Sequence, residues 1–439
     1  MSAQNGDLLG PAGKALAAEL ERADDVPSRR HEFFVPDGVA YLAGNSLGLQ
    51  PRAAATAIDE VLAAWAQSAV DAHVEGDRPW IRYHDAMRES VAGLVGANPG
   101  EAVVMNSLTV NLHLMASSFY RPTGDRRRVV IEADVFPSDR YAITNMVRAR
   151  GLDPDEAVVI LQPRAGERHL RTDDVADFFA TEGSSVALAV FSAVDFRTGA
   201  FLDMAAITAA AHDAGTLIGW DLAHAAGNVP MRLHDWDVDF AFWCHYKYVN
   251  AGPGAVGGAF VHERHGNDPA VVRPGGWWGH DGASRFAMPF EFEAIPGAEG
   301  WQVSNPPILA MAPVRVALDQ FDEIGMEALR ERSVRLTGFL ERLLDEVATR
   351  RPIAIVTPRQ PERRGAQLSV MVDHAAAVAE AMSHEHSVRT DDRPPNIVRI
   401  APAPLYNTYL DCWRAAVALD AVLAPADSTV AEIVSQPSA

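Results

Sequence analysis

The sequence predicts an α/β fold: a mostly parallel sheet in a large domain, followed by a smaller α+β domain. Two patterns carry this. Between residues 101 and 221 short apolar runs alternate with helical stretches in a βαβα series, the arrangement of a parallel sheet covered by helices. After about residue 310 the texture changes to two long helical stretches and then separated apolar runs. The expected division is an N-terminal segment, 1–60, packing with the small domain, a large domain, 61–310, and a small C-terminal domain, 311–439.

Taken in order, residues 12–24 and 53–68 read as helices. EAVVMN (101–106) then leads into SLTVNLHLMASSF, RVVIEAD (128–134) into SDRYAITNMVRAR, and EAVVILQP (156–163) into TDDVADFFATEG. SSVALAVFSAV (184–194) leads into DMAAITAAAHDAG, and TLIGWD (216–221) closes the series. Helices over 307–324 and 326–350 precede IAIVTP, AQLSVMV and NIVRIAP, while SHEHSVRTDDRPPN (383–396) is polar and reads as a loop.

Composition narrows the class. The 439 residues are 48% hydrophobic, enough for a sizeable core, and carry a net charge of −20. That charge argues against nucleic acid or an anionic membrane as the main partner. Two cysteines, Cys244 and Cys412, make neither a disulfide framework nor a zinc spacing. The first residues lack a basic start and apolar core, and no apolar run reaches membrane-spanning length. A soluble cytoplasmic protein is expected.

Cation usage points to the chemistry. The chain has two lysines, Lys14 and Lys247, against 36 arginines. Arginine replaces lysine as a surface charge but not as a nucleophile, because a guanidinium stays protonated. A desolvated lysine amine can lose its proton and condense with an aldehyde. Lys14 sits in a polar segment, whereas Lys247 sits in VDFAFWCHYKY. Ligands of open parallel sheets lie beyond the carboxyl ends of the strands, and TLIGWD puts Asp221 at such an end, with His224 in the following turn. A pyridoxal phosphate (PLP) site needs both a lysine for the aldehyde and a carboxylate for the pyridine nitrogen. The cofactor's phosphate would suit the helix start in MNSLTVNLHL, with Ser107 as N-cap and Leu108 and Thr109 in the first turn. Tyr246 could add a hydroxyl.

Other motifs fail their context. GPGAVG (252–257) matches a dinucleotide fingerprint but leads into AFVHE, a strand pattern. His262 and His265 are one residue short of a zinc-helix spacing, and His384 and His386 have no third ligand in view. No metal is expected.

Seven motifs in one chain order, AGNSLG (43–48), FPSD (136–139), WDLAHAAGN (220–228), WCHYKYVNAGPG (243–254), GWWGH (276–280), SNPPIL (304–309) and VRIAPAPLYN (398–407), together resemble the kynureninase family. That family is PLP-dependent, of fold type I, in the class V aminotransferase superfamily. The resemblance spans about residues 35–410. It implies a homodimer with active sites at the interface and hydrolytic Cβ–Cγ cleavage of L-kynurenine or its 3-hydroxy form, giving anthranilate or 3-hydroxyanthranilate and L-alanine. The resemblance suggests the kynurenine pathway and leaves tryptophan catabolism, NAD biosynthesis and supply of 3-hydroxyanthranilate to a secondary metabolite open as settings.

By motif, Lys247 would hold the cofactor's aldehyde carbon and Asp221 its pyridine nitrogen. His224, Leu108, Thr109, Ser192, Tyr246 and Trp277 would surround ring and phosphate, Phe136 would pack on the ring, and Asp139 would lie close by. Trp277 and Asn305 would reach in from the partner subunit. Arg399 would clamp the substrate α-carboxylate, with Ser46 nearby, and Tyr246 would donate a proton. His73, Ser304 and Asn305 would face the aryl group, and a His and an Asn there favour a ring hydroxyl, hence the 3-hydroxy substrate. Two places depart from the family pattern: His245 stands where a small, often hydroxylated residue is usual, and FSAVDFRTGA around Ser192 is looser. Cysteine desulfurases and alanine–glyoxylate-type aminotransferases share the fold, and a PLP-fold protein without turnover is the remaining alternative.

Overall fold

The computed structural model describes residues 7–425. Its strands are β1 (Ala40–Tyr41), β2 (Ala102–Val104), β3 (Arg128–Glu132), β4 (Val158–Leu161), β5 (Val186–Ser192), β6 (Leu217–Asp221), β7 (Phe240–Trp243), β8 (Gly258–Val261), β9 (Ala354–Ile355), β10 (Leu368–Met371), β11 (Val388–Arg389), β12 (Asp391–Arg393) and β13 (Ile397–Ile400). Seven of them form one sheet in the order β2-β8-β7-β6-β5-β3-β4. β3 to β7 are parallel wherever they pair, and β8 runs antiparallel to both its neighbours. Every residue of β5 is buried, as a parallel strand covered on both faces requires. This is why the apolar runs read as strands in sequence.

The order of strands fixes where a ligand belongs. From β3 the chain steps outward to β4, and from β5 it steps the other way through β6 to β7. The crevice beyond the carboxyl ends of β3 and β5 is therefore the switch point of the sheet. Glu132, Ser192 and Asp221 end β3, β5 and β6, and Ser192 and Asp221 are register partners.

A second sheet, β12-β13-β10-β9, is antiparallel throughout. Its core gathers Leu336, Leu340, Leu368, Ile400 and Leu419 with Ala17 and Leu42 from the N-terminal segment. β1 pairs with β11 in parallel as a separate two-stranded sheet, which ties the segment before AGNSLG to the C-terminal part of the chain. The helix Ile308–Ile324 buries Met311, Val314 and Phe321 in the core under the large sheet. The helix Tyr409–Val422 opens on a capping box between Thr408 and Asp411, which satisfies two otherwise free backbone donors.

The stretch 383–396 is not the expected loop. The helix Ala375–His386 runs into it, and β11 and β12 follow. Aspartate is unfavourable in strands, yet Asp391 and Asp392 lie in an edge strand whose register sets Asp391 opposite Arg399. A long-range ion pair overrides the local preference.

Candidate active site

The phosphate end is built from two backbones in close approach. Asn106 takes a left-handed conformation, φ 49°, and Ser107 is extended before the helix Leu108–Phe119. The Asn111 amide fixes this turn by donating to the Met105 and Gly258 carbonyls at 2.9 and 3.2 Å. A Cβ at Gly257 would lie 2.7 Å from the Trp243 carbonyl oxygen and 3.2 Å from the Leu108 nitrogen, so only glycine fits there. Ser107 sits at the N-cap position as expected, but its side chain makes no capping bond. The amides of the first turn, at Leu108 and Thr109, are thus left for an anion.

Next to it lies a cluster of buried carboxyl groups. Asp221 Oδ1 accepts from the Ala223 amide at 2.7 Å. Burial raises its pKa, while the Lys247 charge pulls the other way. Asp139, in the first turn of the helix Pro137–Ala149, is buried with Oδ2 unpartnered. Burial and then the charge of Asp221 hold its carboxyl well above the usual range. Two adjacent buried carboxyl groups favour a cation or an N–H donor between them, which is what a protonated pyridine nitrogen offers. His224 is buried with Nδ1 unpartnered, and burial, followed by the charges of Lys247, Arg399 and Arg393, keeps it neutral. Unpartnered buried polar atoms call for a partner, and these fit a polar cofactor.

Glu132, which sequence reasoning passes over, belongs to the same cluster. Its Oε1 accepts from the Ser192 amide at 2.9 Å, and burial pushes its carboxyl up to about 7. The unfolded side chain ionises near 4.5, so the native state retains the proton across that interval. Stability is therefore lost as pH rises from about 4.5 through about 7. Glu132→Gln keeps the acceptor and removes the titration. We expect its urea stability at pH 8 to exceed that of the parent by on the order of 3 kcal/mol, with no gain at pH 4. A parallel pH dependence in both proteins would refute the assignment.

The lysine turn is held from both sides. Asn250 donates its amide to the Lys247 carbonyl at 3.0 Å, and Ala251 donates to the His245 carbonyl at 2.9 Å. Gly48 of AGNSLG donates to the Tyr246 carbonyl at 2.8 Å. A Cβ at Gly48 would lie 2.5 Å from the Lys247 carbonyl oxygen. Lys247 itself is half-buried, with Nζ 5.9 Å from the centre of the Tyr246 ring. Burial and the neighbouring Cys244 thiol raise the Tyr246 hydroxyl pKa, so that group stays a proton donor.

His245 faces the core. Its Nδ1 donates to the Val256 carbonyl at 2.7 Å, and its Nε2 accepts from the Trp243 indole at 2.8 Å. Burial lowers its pKa to about 4. Both nitrogens are used inside the fold, so this departure from the family pattern braces the turn before Gly257.

Arg399 is fully enclosed. Its Nε donates to Asp391 Oδ1 at 2.7 Å, and Nη2 pairs with Asp391 Oδ2. Nη2 also donates to Ser46 Oγ at 2.8 Å, and Nη1 to the Phe196 carbonyl at 2.7 Å. Asp391 gives no signal in sequence, because it lies in a stretch that reads as loop. Against burial, the Arg399 fork holds the Asp391 carboxyl below its usual range.

The structure thus brings together Leu108, Thr109, Asp139, Ser192, Asp221, His224, Tyr246 and Lys247, with Ser46 and Arg399 on the small-domain side. Phe136 is partly exposed and meets Phe196 edge-on at 5.2 Å. Trp277, His73, Ser304 and Asn305 all lie on the surface of the single chain. Trp277 packs edge-on against Phe286 at 5.8 Å, and His73 against Trp80 at 5.2 Å. One His/Glu group, Glu101, His234 and His262, holds its ligand atoms within 4.8 Å of one another. Glu101 already accepts from the Asn98 and Glu263 amides and from His234, which accounts for the group as a hydrogen-bonded staple.

A family model described as the kynureninase C-terminal domain matches residues 329–419. Proteins named kynureninase from Salinispora tropica and Myxococcus xanthus are 56% and 50% identical to the chain. The matches cover 93% and 91% of this chain and 96% and 95% of those proteins. Among solved structures, an apo cysteine desulfurase from Thermococcus onnurineus NA1 has a TM-score of 0.72 at 17% identity, covering 90% of this chain and 97% of its own. The protein C-DES, in a mutant form with glycine covalently linked to its PLP cofactor, has a TM-score of 0.73 at 18% identity, covering 89% and 98%. The structural neighbours share the fold, and the sequence relatives decide the family: the chain belongs to the kynureninase family of PLP-dependent carbon–carbon hydrolases.

Proposed function

We propose that the chain hydrolyses the Cβ–Cγ bond of L-kynurenine, or preferentially of 3-hydroxy-L-kynurenine: water gives its hydroxyl to Cγ, Cβ takes a proton, and the aryl acid and L-alanine are released. The pairing of Lys247 with buried Asp221 at neighbouring strand ends carries this reading. When bound, PLP supplies the electron sink that carbanion chemistry at Cα and Cβ requires. Lys247 would hold the cofactor and would move the proton at Cα. Asp221 and Asp139 hold the ring nitrogen, and the first turn at Leu108 and Thr109, with Ser192 and Tyr246, holds the ring and phosphate. Arg399 and Ser46 orient the substrate carboxylate. Tyr246, kept protonated by its surroundings, gives a proton to Cβ after the aryl acid leaves.

A desulfurase needs a mobile nucleophilic cysteine. Cys412 and Cys244 are both buried, and burial raises both thiol pKa values. Neither suits that task.

A homodimer completing each site with the partner's Trp277 and Asn305 accounts for the exposed apolar residues around them. Trp277, Phe286, Met288 and Phe290 are exposed within one segment, and clustered exposed apolar residues mark interaction surfaces. A monomer in sedimentation at micromolar concentration would remove this part of the proposal. The pathway is read from the family likeness, and a cytoplasmic location from the sequence.

The substrate is tested by competition. Holoenzyme given L-kynurenine and 3-hydroxy-L-kynurenine together is expected to form 3-hydroxyanthranilate in excess. His73→Trp is expected to shrink that excess by up to about tenfold, the net worth of one lost hydrogen bond. Equal products from the parent would discard the hydroxyl-recognition role of His73 and Asn305. Absence of both products would overturn the proposed reaction.

A further inference from the structure

The Arg399 fork is filled by a carboxylate from this chain. Asp391, its cross-strand partner, takes Nε and Nη2, Ser46 shares Nη2, and the Phe196 carbonyl takes Nη1. Arg399 and Asp391 together carry no net charge, so this pair alone offers little attraction to an incoming anion. A second arginine lies beside them. Arg393 projects from the same face of β12 as Asp391, two residues on. Its Nη2 is 3.6 Å from Asp391 Oδ2, and its Nη1 donates to the Asp392 carbonyl at 2.6 Å. Its charge is felt at His224 alongside those of Lys247 and Arg399. Asp392 lies on the other face of the strand; its charge reaches Arg393, but only Asp391 pairs with it, and nearby Arg197 has its own counter-ion, Asp134, at 2.8 Å.

We propose that Arg393 determines affinity for the substrate carboxylate by giving the Arg399–Asp391–Arg393 group a net charge of plus one, matched to one carboxylate. Arg399 sets direction through its remaining Nη1 hydrogen and through Ser46, and Arg393 supplies the uncompensated charge. This rests on the reading of the site as one that takes an α-amino acid. It is independent of which aryl group follows.

The test compares L-alanine with L-alaninamide, which has no carboxylate, by titrating each into PLP-loaded enzyme and following the cofactor's visible absorbance. The parent is expected to prefer alanine by at least tenfold. Arg393→Gln should lose most of that preference, with cofactor absorbance and melting temperature kept. Arg393→Lys, which retains charge but not the fork, should preserve it. Full preference in Arg393→Gln would overturn the proposal, and so would loss of preference in Arg393→Lys, which would make the role geometric. If the parent turns over no kynurenine yet shows this pattern, the substrate reading fails and the carboxylate assignment stands.

Discussion

Lys247→Ala and Lys247→Arg should both lack the visible absorbance of a covalently held cofactor and lose turnover by about four orders of magnitude or more. Proton transfer by one positioned group is worth 10²–10⁴, and Lys247 has the covalent role as well. The arginine variant is the sharper test. It keeps the positive charge next to Asp221 and His224, whose pKa values both respond to Lys247, so the electrostatics of the cluster change little. A guanidinium cannot release its proton to act as a nucleophile or base. Lys14 is the control: its Nζ lies 5.8 Å from the Trp413 ring centre, far along the fold from the site, and Lys14→Arg should be silent. Turnover in Lys247→Arg above about one per cent of the parent would separate this residue from the chemistry.

The chain's near-exclusive use of arginine makes Lys247 legible from the amino-acid sequence alone. Asp221 is legible because it ends an apolar strand one strand before Lys247, and a carboxylate and a lysine on neighbouring strand ends suit a PLP site. Most strands of the large sheet can be read because burial on both faces leaves continuous apolar runs. Asp391 cannot be read. Asp-Asp-Arg between polar residues looks like loop, and only the antiparallel register with β13 reveals that it faces Arg399. Glu132 is hidden by lying at the end of a run that reads as plain strand, although its position beside Ser192 follows from the strand order β5-β3. His245 carries too little local signal to distinguish a ligand contact from a core brace: its Trp243 partner is two residues away, but the Val256 carbonyl that fixes the ring lies eleven residues on. His73, Ser304, Asn305 and Trp277 lie on the surface of the single chain, so neither their spacing nor the fold of the single chain assigns their contacts.

Asp221→Asn should cost catalysis and gain stability in the same variant. Asparagine keeps the volume and the oxygen that accepts from the Ala223 amide, so the end of β6 should be undisturbed. What disappears is the charge proposed to face the cofactor's ring nitrogen. Preorganised charges in water-excluded sites are worth roughly 10²–10³ in rate each, and kcat is expected to fall by about that factor while substrate KM changes little. Asp139 limits the loss. The Asp221 charge is part of what holds the Asp139 carboxyl protonated, so removing it lets Asp139 ionise in its place. Asp139→Asn alone should therefore cost less than Asp221→Asn, and the double variant more than the two losses added, since each single variant retains one carboxylate. Stability should move the other way. Burying two adjacent carboxyl groups is unfavourable, and the cofactor-free Asp221→Asn protein should melt several degrees above its parent, the direction expected where a site is built at the expense of the fold. A variant with parental kcat, or one that melts lower without cofactor, would show that Asp221 serves the end of β6 and not the chemistry.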